Sequence, residues 1–132
     1  MGMTPSPNDL AGNGTLGSYT PFQLWAGEKE IVTDHDPVAP NTTIAKYQVL
    51  AKNAAGQLVP HDPTASDETA KAVGVATQPI KTGAAAASIG YYVSAFLNHE
   101  ALVWHASLDT LAKRKAAFVG TEIRVGALRG AA

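Results

Sequence analysis

The chain has 132 residues, ten Lys and Arg against eleven Asp and Glu, a net charge of −1 and no cysteine. That is the length of one domain, and it excludes a disulfide framework or a cysteine-ligated zinc site. Charged residues are only 16% of the total, so the near-neutral balance argues against a general nucleic-acid binder. Ala supplies 24 of the hydrophobic residues and larger apolar side chains 36, enough for a small core. No run of eighteen apolar residues occurs, so no membrane-spanning helix is expected, and residues 1–16 lack the basic and apolar regions of a secretion signal. A small, soluble, cytosol-compatible protein is the expectation. Charge is uneven along it: residues 1–70 carry three Lys and eight acids, and residues 71–132 carry seven bases and three acids. Such a split permits attraction between copies, or between the halves of one copy.

Residues 1–43 do not read as a folding unit. Pro5, Pro7, Gly12, Gly14, Gly17, Pro21, Gly27, Pro37 and Pro40 interrupt every possible helix and most strands. Yet Tyr19, Phe22, Leu24, Trp25, Ile31 and Val32 recur there, and a disordered tail ordinarily lacks such side chains. Apolar groups on a segment without its own core suggest an extended arm that orders on another surface, or one that wraps its own domain.

From Ile44 the pattern becomes β. A strand is predicted over 44–51, with Tyr47 and Val49 on one face, followed by turn chemistry at Asn53-Ala54-Ala55-Gly56 and a returning strand at 57–59. Pro60 to Ser66 reads as a loop and 72–77 as a short strand. Gly83 and the Ile89-Gly90-Tyr91-Tyr92 run make Ala84–Ala87 loop or strand, despite the helical propensity of Ala. The clearest alternation runs from Ile89 to Leu97, with Ile89, Tyr91, Val93, Ala95 and Leu97 on one face and Phe96 hinting at cover on the other. Ala101 to Trp104 is a further apolar piece. One helix is predicted over Ser107 to about Ala117, with Ser107 as N-cap, Leu108, Leu111, Ala112 and Ala116 on one face, and Gly120 as its stop. Residues 121–125 return to strand, and 127–132 form a frayed tail.

Catalytic constellations are scarce: no GxSxG, HExxH, P-loop or GxGxxG occurs. Asp34-His35-Asp36 and His61-Asp62 could hold a divalent cation, but both are His-Asp-Pro sequences, and Asp-Pro initiates turns. No metal or cofactor is therefore expected. His99-Glu100 and His105 read as interface or surface groups, and Lys113-Arg114-Lys115 as a solvated helix face.

Several residues together carry a resemblance. Ala72-Val73-Gly74-Val75-Ala76, Tyr91-Tyr92 with Ser94, Leu102-Val103-Trp104, Lys113-Arg114 and Ala117-Phe118-Val119-Gly120-Thr121 with Ile123 resemble, in order and spacing, the lambda-type bacteriophage head decoration proteins. The likeness runs from Tyr47 to Val125, about 60% of the chain. The Trp is followed here by His105 where the relative has Pro, and the segment before Tyr47 is longer. The resemblance implies a mainly β, β-clip-like protomer with one short helix near the C-terminus and an extended N-terminal arm. Residues 1–43 would be the capsid-binding arm and 44–126 the decoration domain. It further implies a homotrimer that is not an enzyme. Such a trimer sits on the outer surface of the expanded head, made in the host cytoplasm, and cements the shell against the pressure of packaged DNA. Partners would be other copies and the major capsid protein, with no direct contact to nucleic acid or membrane. Tyr19, Phe22, Leu24, Trp25, Ile31 and Val32 are the candidate capsid anchors; Tyr91, Tyr92, Trp104 and His105 are candidates for the interface between copies.

Strand pairing by an arm roughly breaks even, since ordering costs ~1–2 kcal/mol per residue and each hydrogen bond returns about 0.5–1.5 kcal/mol. Buried apolar anchors must supply the surplus. Two other readings use the same residues. A stand-alone β module for a carbohydrate or host-surface ligand would use Tyr91, Tyr92 and Trp104 as a stacking platform. A metal enzyme would use His35, Asp36 and His61.

Overall fold

The alternating run centred on Tyr91 forms the longest element in the computed structural model, which describes residues 23–128. In chain order the strands are β1 (Val32–Val38), β2 (Thr43–Ile44), β3 (Val49–Lys52), β4 (Leu58–Pro60), β5 (Gly74–Ala76), β6 (Ile80–Lys81), β7 (Ala87–Asn98) and β8 (Glu122–Gly126). One helix, α1 (Leu111–Ala117), and two 3-10 turns, Glu68–Ala70 and His99–Ala101, complete the described chain. The protein is mainly β, with its helix near the C-terminus.

Strand β7 organises the rest because both of its faces and both of its edges are used. Its N-terminal half pairs antiparallel with β1, from Ser94 opposite Val32 to Ala87 opposite Val38, and with β5 at Tyr91 and Tyr92. Its C-terminal half pairs parallel with β8, from Ser94–Glu122 to Asn98–Gly126. The order β1-β4-β3-β5-β7, with β7 returning to β1, closes five strands on themselves and leaves β8 outside. Closure removes the exposed edges of those five strands, the usual hazard of small sheets. Two apolar clusters fill the structure. Val38, Ile44, Leu50, Leu58, Ile89 and Tyr91 form one; Leu24, Val49, Leu97, Phe118, Ile123 and Val125 belong to the other. Gly74 is what allows β5 to approach, since a Cβ there would lie 2.3 Å from the carbonyl oxygen of Tyr92.

The turn at Asn53–Gly56 forms as its residues predict. Asn53 Oδ1 accepts the N–H groups of Ala55 and Gln57, and Gly56 takes φ +80°. The strand predicted over 44–51 is instead broken into β2 and β3. Tyr47 sits at φ +61°, its N–H donating to Ala76 and its carbonyl accepting from Val103. Those two distant partners hold a conformation that a bulky residue otherwise avoids.

The N-terminal segment differs from a separate arm over its described length. β1 is a full member of the sheet, so Asp34-His35-Asp36 lies in a strand opposite Tyr91, Gly90 and Ile89, not in a turn; β7 supplies hydrogen-bond partners that the local sequence does not reveal. His61-Asp62-Pro63 does turn, with Asp62 Oδ1 accepting from the backbone and hydroxyl of Thr64.

The helix is shorter than predicted. Thr110, not Ser107, is the N-cap, its Oγ1 accepting from the N–H of Lys113; Ser107 is tied to the His105 ring instead. Gly120, at φ +88°, ends the turn that follows the helix. No residue of α1 is buried, so Ala112 and Ala116 do not form a docking face. Leu108 before the helix and Phe118 after it carry its attachment to the core.

Candidate functional site

The described chain enters beside the C-terminal end of β7, and Asn98 receives it. The Asn98 side-chain amide donates to the carbonyl of Gln23 at 2.9 Å and its backbone N–H to the carbonyl of Leu24 at 2.6 Å. Ala26 N–H donates to the Phe96 carbonyl, and Trp25 lies opposite Leu97 in an antiparallel bridge. Gly27 crosses the face of Phe96, where a Cβ would come within 2.9 Å of the ring. Ser94 Oγ then holds the carbonyl of Glu30 at 2.7 Å, and Lys29 Nζ reaches Glu122 Oε1 at 3.1 Å. A strip of chain from Gln23 to Val32 is thus fastened along β7 before β1 begins.

The six candidate anchors separate on this strip. Tyr19 and Phe22 lie outside the described residues. Leu24 is a core residue of its own subunit, 7% exposed, because pairing with β7 turns it into the cluster around Leu97. Trp25 is 36% exposed, Ile31 53% and Val32 40%. The Trp25 ring meets Tyr92 edge-on at 5.5 Å between centroids.

The four residues expected between copies are largely engaged within the subunit. Tyr91 is buried at 2% exposure and has no face to offer a neighbour. Its hydroxyl donates to Asp36 Oδ2, and Lys52 Nζ stands 3.1 Å from the same oxygen. The Tyr91 hydrogen bond, aided by Lys52, holds the Asp36 carboxyl below the usual carboxylate range. Burial, with the Asp36 contact, pushes the Tyr91 phenol up to about 12. Trp104 donates from Nε1 to the His99 carbonyl at 2.7 Å and packs edge-on against Phe118. The Arg114 guanidinium covers its ring at 5.2 Å, donates to the Leu108 carbonyl and meets His99 Nδ1 at 3.0 Å. Arg114 is therefore an inward-facing bracket and not part of a solvated helix face. His105 contacts Ser107 and, at 3.5 Å, Asp62. Tyr92 is half-buried, as are Trp104 and His105.

These placements remove the stacking platform that a carbohydrate-binding module would need, since Tyr91 is enclosed and Trp104 is covered by Arg114. Two of the residues considered for a metal, Asp36 and His61, are also occupied otherwise. Asp36 is held by Tyr91 and Lys52, and His61 is buried with Nε2 at 3.0 Å from the Ala70 carbonyl. Burial pulls the His61 imidazole below its ordinary pKa. Among the described residues no three potential metal ligands converge, and no helix is long and apolar enough to cross a membrane.

Sequence reasoning gave Ser94, Asn98 and Arg114 no fastening role. Ser94 and Asn98 had a legible signal, as polar residues in an apolar strand that must find partners once buried; those partners, Glu30, Gln23 and Leu24, lie more than sixty residues away.

A closed β body, with polar groups spent on fastening its own chain and apolar side chains exposed along one strip, defines a small β-rich protein. The family model for bacteriophage lambda head decoration protein D matches residues 19–126, and the chain belongs to that family. It is accordingly a phage head decoration protein, a structural component of the capsid. The match begins well upstream of Tyr47 and so takes in the strip and β1. A comparison with curated proteins gives no match.

Proposed function

We propose that the protein decorates the outer surface of the expanded phage head as a homotrimer and cements neighbouring capsid subunits against the pressure of packaged DNA. The N-terminal arm, residues 1–22 with Tyr19 and Phe22, is the anchor, adding a strand to the major capsid protein. The observation that carries this reading is the fastening of Gln23 and Leu24 at Asn98. It gives the arm a rigid root on the body, with Trp25 exposed beside it. Twenty-two residues, if extended, reach ~70 Å at about 3.3 Å each, enough to cross onto an adjacent capsid subunit. Three arms on one trimer act together, and linked binding raises avidity by ~10²–10⁴ over one arm, so each contact can be weak.

The root also determines how the reading is tested. A deletion that removes Leu24 damages the body's own core, so the truncation that tests the arm stops at residue 22. The truncated protein is expected to keep its melting temperature and oligomeric mass and to lose sedimentation with expanded, undecorated shells. Undiminished shell binding by that variant would defeat the arm-anchoring proposal.

A further inference from the structure

Two surfaces apart from the arm carry exposed apolar side chains, and their chemistries match. The first is the strip from Glu28 to Asp34. Ile31 and Val32 are 53% and 40% exposed and stand among the exposed residues Glu28, Glu30 and Asp34. Ser94 holds the Glu30 carbonyl, and the ladder between β1 and β7 is irregular between Val32 and Thr33, a bulge of the kind that re-aims a side chain. The apolar pair is thus ordered already, and binding need not supply that entropy.

The second surface follows α1. Val119 is 79% exposed, the most of any large hydrophobic side chain among the described residues. Beside it a groove of ≈ 260 Å³ runs along β8, lined by Val119, by the basic side chains Lys115 and Arg124, and at its base by the buried Phe118, Ile123 and Val125. Strand β8 has no neighbour on its outer side among the described residues.

We infer that the Glu28–Asp34 strip of one copy packs into the Val119 groove of the next, forming the contact between copies; this deepens the homotrimer reading and rests on it. Charge complementarity selects the occupant. The one base in the strip, Lys29, and the acid at the start of β8, Glu122, pair with each other inside the subunit. That pairing leaves the strip negative and the groove positive. It also means the two surfaces adjoin on one molecule. A head-to-tail contact closes into a ring where its rotation closes and propagates a filament where it does not, and the homotrimer requires the closed case.

The test measures mass against concentration by sedimentation for the full chain, together with its far-ultraviolet circular dichroism. Val119→Glu and Ile31→Glu each replace an exposed side chain, so the fold is retained, and each raises the concentration for half-assembly by about tenfold or more, the scale of an interface hot spot. Glu28→Lys with Glu30→Lys weakens assembly too, and adding Lys115→Glu with Arg124→Glu restores it, as only a direct charge contact would. Trimers that survive both Val119→Glu and Ile31→Glu at wild-type concentrations would overturn this interface while leaving the homotrimer intact. A wild-type chain that stays monomeric at every concentration would overturn the homotrimer reading and this interface with it.

Discussion

Residues 23–38 and residues 107–120 carry opposite local signals and meet opposite fates. The first stretch has little to recommend it as structure, with Gly27 and Pro37 and a run of charges, yet it is stitched along β7 and sends Leu24 into the core. The second has a cap, matching dipole charges, alanines and a terminal glycine, yet none of the helical residues it produces is buried. The strip is held by partners more than sixty positions away; the helix is held by its own cap, by the two apolar residues that flank it and by the Arg114 bracket to Trp104 and His99. Local propensity thus decides which conformation is cheap, whereas a long, half-satisfied neighbouring strand decides which segment is captured.

The comparison predicts a graded set of losses. Leu24→Ala should cost the most, about 2–5 kcal/mol in the range for buried Leu, seen as a lowered urea midpoint of the whole protein. A loss well under 1 kcal/mol would mean that residues 23–26 lie outside the cooperative unit. Tyr91→Phe comes next, at about 1–2 kcal/mol, below the usual range for a bond to a charged acceptor because the Asp36 side chain is 25% exposed. Its pH dependence has a definite sign. The Asp36 pKa is depressed on folding, so its contribution is present above the unfolded carboxylate pKa of about 3.9 and is lost as pH falls through the lower folded value. Tyr91→Phe should therefore flatten the acid limb of the stability curve below about pH 4, and an unchanged limb would remove Asp36 as its source. Thr110→Ala should cost least, about 1 kcal/mol for a lost N-cap. It should speed hydrogen exchange in α1 while leaving β7 amides protected; equal acceleration in both would show the helix and sheet opening together.

Much of the body was legible. The alternation of Ile89, Tyr91, Val93, Ala95 and Leu97, the Asn53–Gly56 turn and the strand before Val125 all follow from nearest-neighbour chemistry, and each is found. The candidate site was legible in part. The apolar residues before the body are visible in the sequence, but Leu24 could not be distinguished from Trp25, since pairing with Leu97 decides which of two adjacent side chains faces inward. Tyr91 and Tyr92 posed the same problem. Alternation separates their faces, but only the β1–β7 and β5–β7 ladders reveal that the Tyr91 face is closed and the Tyr92 face half open. Arg114 looked like its neighbours Lys113 and Lys115 because nothing local marks the Trp104 ring and His99 as its partners.

Composition and pattern alone therefore settled a small, cysteine-free, mainly β domain, its turns, the presence of one short helix and the stock of apolar groups at its N-terminal side. These depend on interactions within a few residues, which the order of side chains specifies directly. Closure of the sheet through β1, the break at Tyr47, the start of the helix at Thr110 and the division of the strip into buried and exposed anchors were decided by the tertiary structure. Each depends on a backbone group or a side chain finding its partner across the fold, and that partner exists only once β7 has been assembled between its neighbours.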